Sequence, residues 1–556
     1  MIPQARATVQ AMKAYRPPLE GRRQAIRLDF NENTAGFPEL LPGIESSLLA
    51  AYPEYQLLLD HLCAWLAIDQ ERLLITNGSD EGLFVAAFTF VEPGQKAVVS
   101  APTFSLIPHS LQLCGAELVE VVVCPDLTFD LNGLEAALPG AKLAILASPD
   151  NPTGAMLPLA RLASWLERFA ETLFVIDEAY FEYCGQTALE LEADNLVVSR
   201  TFSKAWGLAG LRLGYLVGHP QVIEWMRRVR SPYSVNSLAV KTLLEMLPHR
   251  QRVASYAQQT MQLKQQVLTR VRELGYRVTE GKANFFVLWA GPDAPKVETF
   301  MRDHGILVRD RSQLARMAGS VRVSVGSPAE MEKFLAVLEE FGRRTALIFD
   351  LDDTLVDTSE SYDRCILELS GASPEELSAL RREGGFNDDW EATAELLRRR
   401  GTPMELAEVE RRGQAHYLEL APQVEKAKFD TEALARLGRR HRLFVYTGRP
   451  RTEYAPVWGE RLDGLFDEVL CKGDREGRPK PAPDGLLDLL TRHGLAGGYY
   501  VGNSVDDMAA GKAAGLTTLA VTTNQSEETL RQAGADWVVD SVAALEQLFM
   551  MEESDA

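Results

Sequence analysis

Between about Leu73 and Tyr215 the chain repeats short apolar runs rich in β-branched residues, KAVVSAP, KLAILASP, TLFVIDEA and NLVVSRT. They alternate with stretches of helical period such as LARLASWLERFAETL. Runs that are apolar throughout read as strands buried on both faces, and strands alternating with helices predict a mostly parallel sheet covered on either side. Residues 216–270 are helical in pattern, and 271–343 read as a smaller α+β unit closed by the helix PAEMEKFLAVLEEF. The expected class is α/β, a large mixed or parallel-sheet domain followed by a small α+β domain.

After Phe341 only GRR intervenes before TALIFD opens a second α/β pattern, with no Gly/Ser- or Pro-rich linker. Between Ser359 and about Phe429 the pattern turns helical and charged, and the strand-like RLFVYTGR then resumes it. This predicts a domain at 1–343 and a second at 344–556, the latter carrying an inserted helical cap at about 359–430. A chain of 556 residues exceeds the roughly 250–300 at which one core gives way to several.

Composition narrows the class without changing it. The hydrophobic fraction of 46% and charged fraction of 24% are those of a globular protein. A net charge of −20 disfavours nucleic acid and anionic membranes as partners, while leaving small phosphorylated substrates open to local arginines. The six cysteines are scattered, with no CxxC pair, and read as reduced core thiols. No run of about 20 apolar residues and no signal-peptide core is present, so a cytoplasmic location is expected.

An ordered set of polar residues runs through the first half. Ser79 and Asp80 in NGSDEG precede a helical stretch, whose N-terminus is a ready phosphate site. Asn151 follows in SPDNPTG, Asp177 and Tyr180 in VIDEAYFEY, and Thr201, Ser203, Lys204 and Arg212 in RTFSKAWGLAGLRLGY. Each has a chemical reason if the cofactor is pyridoxal phosphate, whose ring withdraws electrons only while its nitrogen stays protonated. Asp177 would supply the counter-charge, and Asn151 and Tyr180 would bond the phenolic oxygen. Ser79, Thr201, Ser203 and Arg212 would close on the phosphate, and Phe104 in APTFSL would stack on the ring. Lys204 would bind the aldehyde covalently and then shuttle the substrate proton.

Taken together, these motifs resemble the fold-type I aminotransferases, most closely the histidinol-phosphate aminotransferases. LDFNENTAGFP, AAYPEYQ, KANFFVLW and VRVSVG extend the likeness over nearly all of residues 1–340. The resemblance implies a homodimer in which Tyr52 reaches the neighbouring subunit's cofactor phosphate. It also implies that Arg322 receives the carboxylate of glutamate and the anionic group of the second substrate. One departure is SPDNPTG in place of NPNNPTG, which puts Asp150 at the expected rim of the site. A threonine-phosphate decarboxylase is a related alternative.

In the second half, DLDDT, a TGR after a strand, a KP pair and VGNSVDDM occur in the order that the haloacid dehalogenase superfamily shows. The resemblance spans residues 344–548 and implies a Rossmann-like domain. Asp350 would attack phosphorus, and Asp352 would protonate the leaving alcohol and then activate water. Thr447 and Lys480 would hold the phosphoryl oxygens. Mg²⁺ is expected, on the Asp350 carboxylate, the Asp352 carbonyl, and Asp506 or Asp507. Asn503 stands where aspartate is usual, which removes one negative charge. Within the cap, GGFNDDWEAT with Asn387, Asp388 and Trp390 is expected as a loop over the site or a capped helix start. An aminotransferase of this kind makes histidinol phosphate, a candidate for the phosphatase. Phosphoglycolate, another small metabolite, or phosphate binding without turnover are the alternatives.

Overall fold

The apolar runs KAVVSA, LAILA, LFVID and LVVSRT are the strands Lys96–Ala101, Leu143–Ala147, Leu173–Asp177 and Leu196–Thr201. In the computed structural model, which describes residues 5–14, 17–383 and 389–550, they form the centre of a seven-stranded sheet. Its order is Leu73–Thr76, Gly214–Gly218, Leu196–Thr201, Leu173–Asp177, Leu143–Ala147, Lys96–Ala101, Glu117–Val122. Gly214–Gly218 runs antiparallel to both neighbours, and the remaining strands are mutually parallel. Alternate side chains feed two cores. Val99, Ile145 and Val175 pack on one face, and Val98, Leu146, Phe174 and Ile176 on the other. That double burial is why these runs are apolar at every position rather than at every second one.

The helices Pro220–Val229, Ser237–Met246 and Arg250–Glu273 follow. A four-stranded antiparallel sheet comes next, ordered Arg309–Asp310, Ser320–Ser324, Phe285–Trp289, Arg277–Thr279.

The chain divides into two compact units, Met1–Leu338 and Glu339–Ala556. The second is built on a parallel six-stranded sheet ordered Glu468–Lys472, Arg442–Pro450, Thr345–Phe349, Gly497–Gly502, Thr517–Val521, Trp537–Val539. Four helices, Tyr362–Ser370, Pro374–Glu383, Asp389–Arg399 and Leu406–Val424, are inserted after its first strand. They are rooted in two short antiparallel strands, Val356–Asp357 and Lys426–Ala427, the first just before and the second just inside the bounds of about 359–430 expected from charge pattern alone. Among the described residues no helix is long and apolar enough to cross a membrane.

Candidate active sites

In the first unit, the strand ends Ala147, Asp177 and Thr201 bring their following loops to one edge of the sheet, the place where open α/β folds gather ligands. A cavity of about 130 Å³ there is lined by Ser79, Asp80, Phe104, Asn151, Asp177, Tyr180, Thr201, Ser203, Lys204 and Arg212, together with Ala147 and Ala179. Ten residues predicted from separate motifs thus meet around one space. Tyr52 does not join them within one chain; it is 77% exposed, its ring 4.6 Å from that of Tyr233.

Helix Gly78–Phe90 presents its N-terminus to this cavity. Gly78 has φ +74°, and a Cβ there would meet the Arg212 guanidinium at 2.6 Å, so glycine lets the arginine cross the helix start. Arg212 donates to Asp80 Oδ2 at 2.8 Å, to Ser203 Oγ at 3.2 Å and to the Ala209 carbonyl at 3.1 Å. Thr201 Oγ1 donates to Ser203 Oγ at 2.9 Å.

Lys204 donates from Nζ to the Phe30 carbonyl at 2.9 Å. Asn31 donates to the Tyr180 hydroxyl at 2.9 Å. Asp177 is buried, and its Oδ1 has no hydrogen-bond partner among the described residues. Burial, reinforced by the Asp80 carboxylate, pushes its pKa up to about 7. A buried acceptor left unpaired is costly, so this oxygen suits a cationic N–H brought by a ligand. The residues therefore fit pyridoxal phosphate.

Arg322 is buried on the strand Ser320–Ser324 and donates to Asn151 Oδ1 and to the Asp29 carbonyl. Asp29 is in turn held by Arg22. Asp150 is not at the rim: it is fully buried, accepting from Thr103 Oγ1 at 2.7 Å and Thr153 Oγ1 at 2.9 Å. It fastens the residue before Phe104 to the loop that carries Asn151. Burial raises its pKa to about 6, against the pull of those hydroxyls.

In the second unit the expected four residues also converge. Lys480 Nζ lies 2.5 Å from Asp350 Oδ1 and 2.8 Å from Asp507 Oδ1. Thr447 Oγ1 donates to Asp352 Oδ2 at 3.3 Å. Asp352 opens onto a cavity of about 1010 Å³ whose far wall includes Tyr362, Trp390, Gln414 and Glu453 from the inserted helices and the core.

The two adjacent carboxylates expected as metal ligands face different surroundings. Asp506 is exposed in the first turn of helix Val505–Ala513. Asp507 is buried but spent. Its Oδ1 accepts from Lys480 and Tyr500, and its Oδ2 from the Asn503 and Ser504 amides and from Ser504 Oγ at 2.6 Å. Gly502 lies so close beneath it that a Cβ would meet Asp507 Cβ at 2.4 Å. Asn503 takes the place beside the nucleophile instead: Thr354 Oγ1 is 3.4 Å from both Asp350 Oδ2 and Asn503 Oδ1. No group of three or more His, Cys, Asp or Glu placed to hold a metal ion by themselves occurs among the described residues. A carboxylate, an amide oxygen and a backbone carbonyl nonetheless form a hard oxygen set, and Mg²⁺ retains several waters of its own. The residues fit the ion.

Residues 384–388, including Asn387 and Asp388, lie outside the described residues. Trp390 is only 8% exposed, and its ring lies where a Gly413 Cβ would sit, at 2.3 Å. It is a cap core residue that also edges the cavity. Sequence reasoning missed Phe30, Asn31, Arg449 and Glu425. The first two fall in LDFNEN, a block noted without a role, and Arg449 is the last residue of TGR.

Residues 44–338 match the family described as aminotransferase class I and II, and residues 345–515 match haloacid dehalogenase-like hydrolase. The chain belongs to the aminotransferase class I and II family and continues into a haloacid dehalogenase-like domain, an aminotransferase joined to a hydrolase. It is similar to the histidinol-phosphate aminotransferase of Symbiobacterium thermophilum, 35% identical over 353 residues, which are 60% of this chain and 97% of the relative. Histidinol-phosphate aminotransferase 1 of Cupriavidus pinatubonensis is 33% identical over 330 residues, 56% of this chain and 87% of the relative. The crystal structure of histidinol-phosphate aminotransferase from Sinorhizobium meliloti in complex with pyridoxal-5'-phosphate matches at 27% identity and TM-score 0.54, covering 61% of this chain and 98% of that one.

Proposed function

We propose that the first unit transaminates histidinol phosphate with 2-oxoglutarate, reversibly giving imidazole acetol phosphate and glutamate, and that the second hydrolyses histidinol phosphate in histidine biosynthesis. The names of the relatives support the first substrate. The observation that carries the reading is the unpaired, buried Asp177 Oδ1 on the same small cavity as Lys204.

Pyridoxal phosphate, when bound, supplies an electron sink for the substrate Cα. Asp177 holds the ring's positive charge. Asn151 and Tyr180 orient its phenolic oxygen, and Phe104 covers a face. Ser79, Thr201, Ser203 and Arg212 hold the phosphate, with Arg212 exchanging Asp80 for it. Lys204 binds the cofactor and afterwards moves the Cα proton with its Nζ. Arg322 receives the carboxylate of glutamate, exchanging the Asn151 amide for a charged partner. A homodimer with Tyr52 completing the partner's phosphate site accounts for so exposed a tyrosine.

In the second unit Asp350 attacks phosphorus, Asp352 gives the leaving alcohol its proton, and Thr447 and Lys480 hold the phosphoryl oxygens. Mg²⁺ would sit on Asp350, the Asp352 carbonyl and Asn503, offsetting repulsion between nucleophile and phosphate.

The test is purified chain with histidinol phosphate and 2-oxoglutarate, following glutamate and phosphate separately. Asp350→Asn and EDTA should each stop phosphate release while glutamate formation persists. The kcat/KM for histidinol phosphate should exceed that for phosphoglycolate by at least about tenfold, ~1.4 kcal/mol of discrimination. A flat profile would detach the second unit from histidine synthesis.

A further inference from the structure

Arg449 is the next-to-last residue of the strand Arg442–Pro450, with its side chain wholly out of solvent. Its guanidinium reaches two separate carboxylates. Nε donates to Asp352 Oδ1 at 3.1 Å, joined by Nη2. Nη1 donates to Glu425 Oε2 at 3.1 Å and Nη2 to Glu425 Oε1 at 3.2 Å. Nη1 also donates to the Tyr417 hydroxyl. The group lies 5.6 Å and 5.5 Å from the ring centres of Tyr362 and Tyr417, which stack on each other at 4.6 Å. Both tyrosines belong to inserted helices.

Glu425 is equally buried, and it immediately precedes the root strand Lys426–Ala427. It accepts from Ser361 Oγ at 2.8 Å, just beyond the other root, from Tyr417 at 2.9 Å and from Trp458 Nε1 at 2.6 Å. Arg449 is therefore the joint between the Asp352 loop and both roots of the cap. A planar fork of fixed donors bonds the two carboxylates through three separate nitrogens, which the single nitrogen of a lysine ammonium cannot reproduce.

We infer that Arg449 is a positioning residue that sets the orientation of Asp352 and ties it to the root of the inserted helices. The inference rests on the reading of Asp352 as the group that protonates the leaving alcohol. With Oδ1 bonded to the guanidinium, Oδ2, which Thr447 Oγ1 bonds at 3.3 Å, is the oxygen left free of Arg449 to serve the leaving alcohol. In the first step an Asp350 oxygen bonds to phosphorus as the phosphorus–alkoxide bond breaks. The Oδ2 proton passes to that alkoxide oxygen, leaving Asp352 ionised against Arg449.

The test compares an ester whose leaving group needs a proton with one that does not. First-turnover alcohol release from histidinol phosphate and from p-nitrophenyl phosphate is measured by rapid quench on the full-length chain with Mg²⁺. Asp352→Asn should slow the alkyl ester by about 10²-fold or more, as loss of acid–base catalysis does, and the aryl ester far less. Arg449→Met should reproduce this split, with about tenfold or more on the alkyl ester, and Arg449→Lys should recover little of it. Should Arg449→Met fail to fold, Glu425→Gln keeps the packing and should show the same split at smaller size. If Asp352→Asn shows the split and the Arg449 and Glu425 variants slow both esters alike, or neither, Arg449 is structural only and the inference is overturned. If Asp352→Asn itself shows no split, the reading of Asp352 fails and the inference falls with it.

Discussion

Lys480 stands between Asp350 and Asp507, its Nζ bonded to Oδ1 of each at 2.5 and 2.8 Å. Burial, with the carboxylates of Asp507 and Asp352 adding to it, raises the Asp350 pKa, and the ammonium opposes that rise. Lys480, although burial disfavours its charge, is held well above its ordinary pKa by Asp350 and Asp507. Lys480→Met should thus abolish phosphate release and destabilise the second unit by roughly 3–5 kcal/mol, the usual cost of breaking a buried pair. Glutamate formation should continue. Phosphate release at a wild-type rate would remove Lys480 from the site.

The position of Asn503 beside Asp350 makes a direct prediction for the metal. Asn503→Asp should tighten Mg²⁺ binding in calorimetric titration, because a carboxylate attracts a hard cation more strongly than an amide. Asp506→Asn should leave the affinity unchanged, since that side chain is exposed to solvent. Asp507→Asn should chiefly lower stability by loosening the turn it caps. Loss of Mg²⁺ binding in the Asp506 variant would overturn this ligand set.

Asp177 makes the cofactor-free protein pH-sensitive. Its folded pKa of about 7 lies above the ordinary 3.8, so the native state binds the extra proton between those values. Stability of the stripped protein should fall as pH rises from about 4 to about 7 and level off above, by at most about 4 kcal/mol from this group. Asp150 and Glu182, raised to about 6 and about 7 chiefly by burial, act in the same direction. The informative quantity is therefore the difference in slope between wild type and Asp177→Asn in urea unfolding at pH 5 and pH 8. Equal slopes would show that Asp177 does not titrate in this range. Pyridoxal phosphate should stabilise wild type more than the variant at pH 8.

Lys204→Ala should lose the visible absorbance of lysine-bound pyridoxal phosphate and all measurable transamination, with phosphate release intact. Because Nζ bonds only the Phe30 carbonyl among the described contacts, the substitution should cost little stability. A variant that still transaminates at a comparable rate would place the covalent attachment elsewhere.

The sheet of the first unit was legible because full burial leaves strands such as Leu143–Ala147 and Leu173–Asp177 apolar at every position. The cavity residues were legible because each sits at a strand end or helix start with a recognisable neighbourhood. Asp150 was misplaced for a related reason: its partners, Thr103 and Thr153, lie in two different loops, and sequence spacing does not bring them together. Asp506 and Asp507 were indistinguishable as adjacent carboxylates. The capping box formed with Ser504 turns one inward and leaves the other in solvent. Arg449 and Glu425 escaped notice because a buried ion pair joining residues 24 apart leaves no periodic trace.

The inserted helices hang from two strands of two residues each, Val356–Asp357 and Lys426–Ala427, whereas Asp350, Asp352, Thr447 and Lys480 all lie outside that segment. On the proposed reading, the groups that break the phosphate bond are thus encoded apart from much of what surrounds the departing alcohol. Such a segment can be exchanged, lengthened or reshaped in a single stretch of gene without rewriting the reacting groups, provided that Glu425 and Ser361 still dock at its roots. Substrate recognition in the hydrolase half is thereby open to change through one contiguous module.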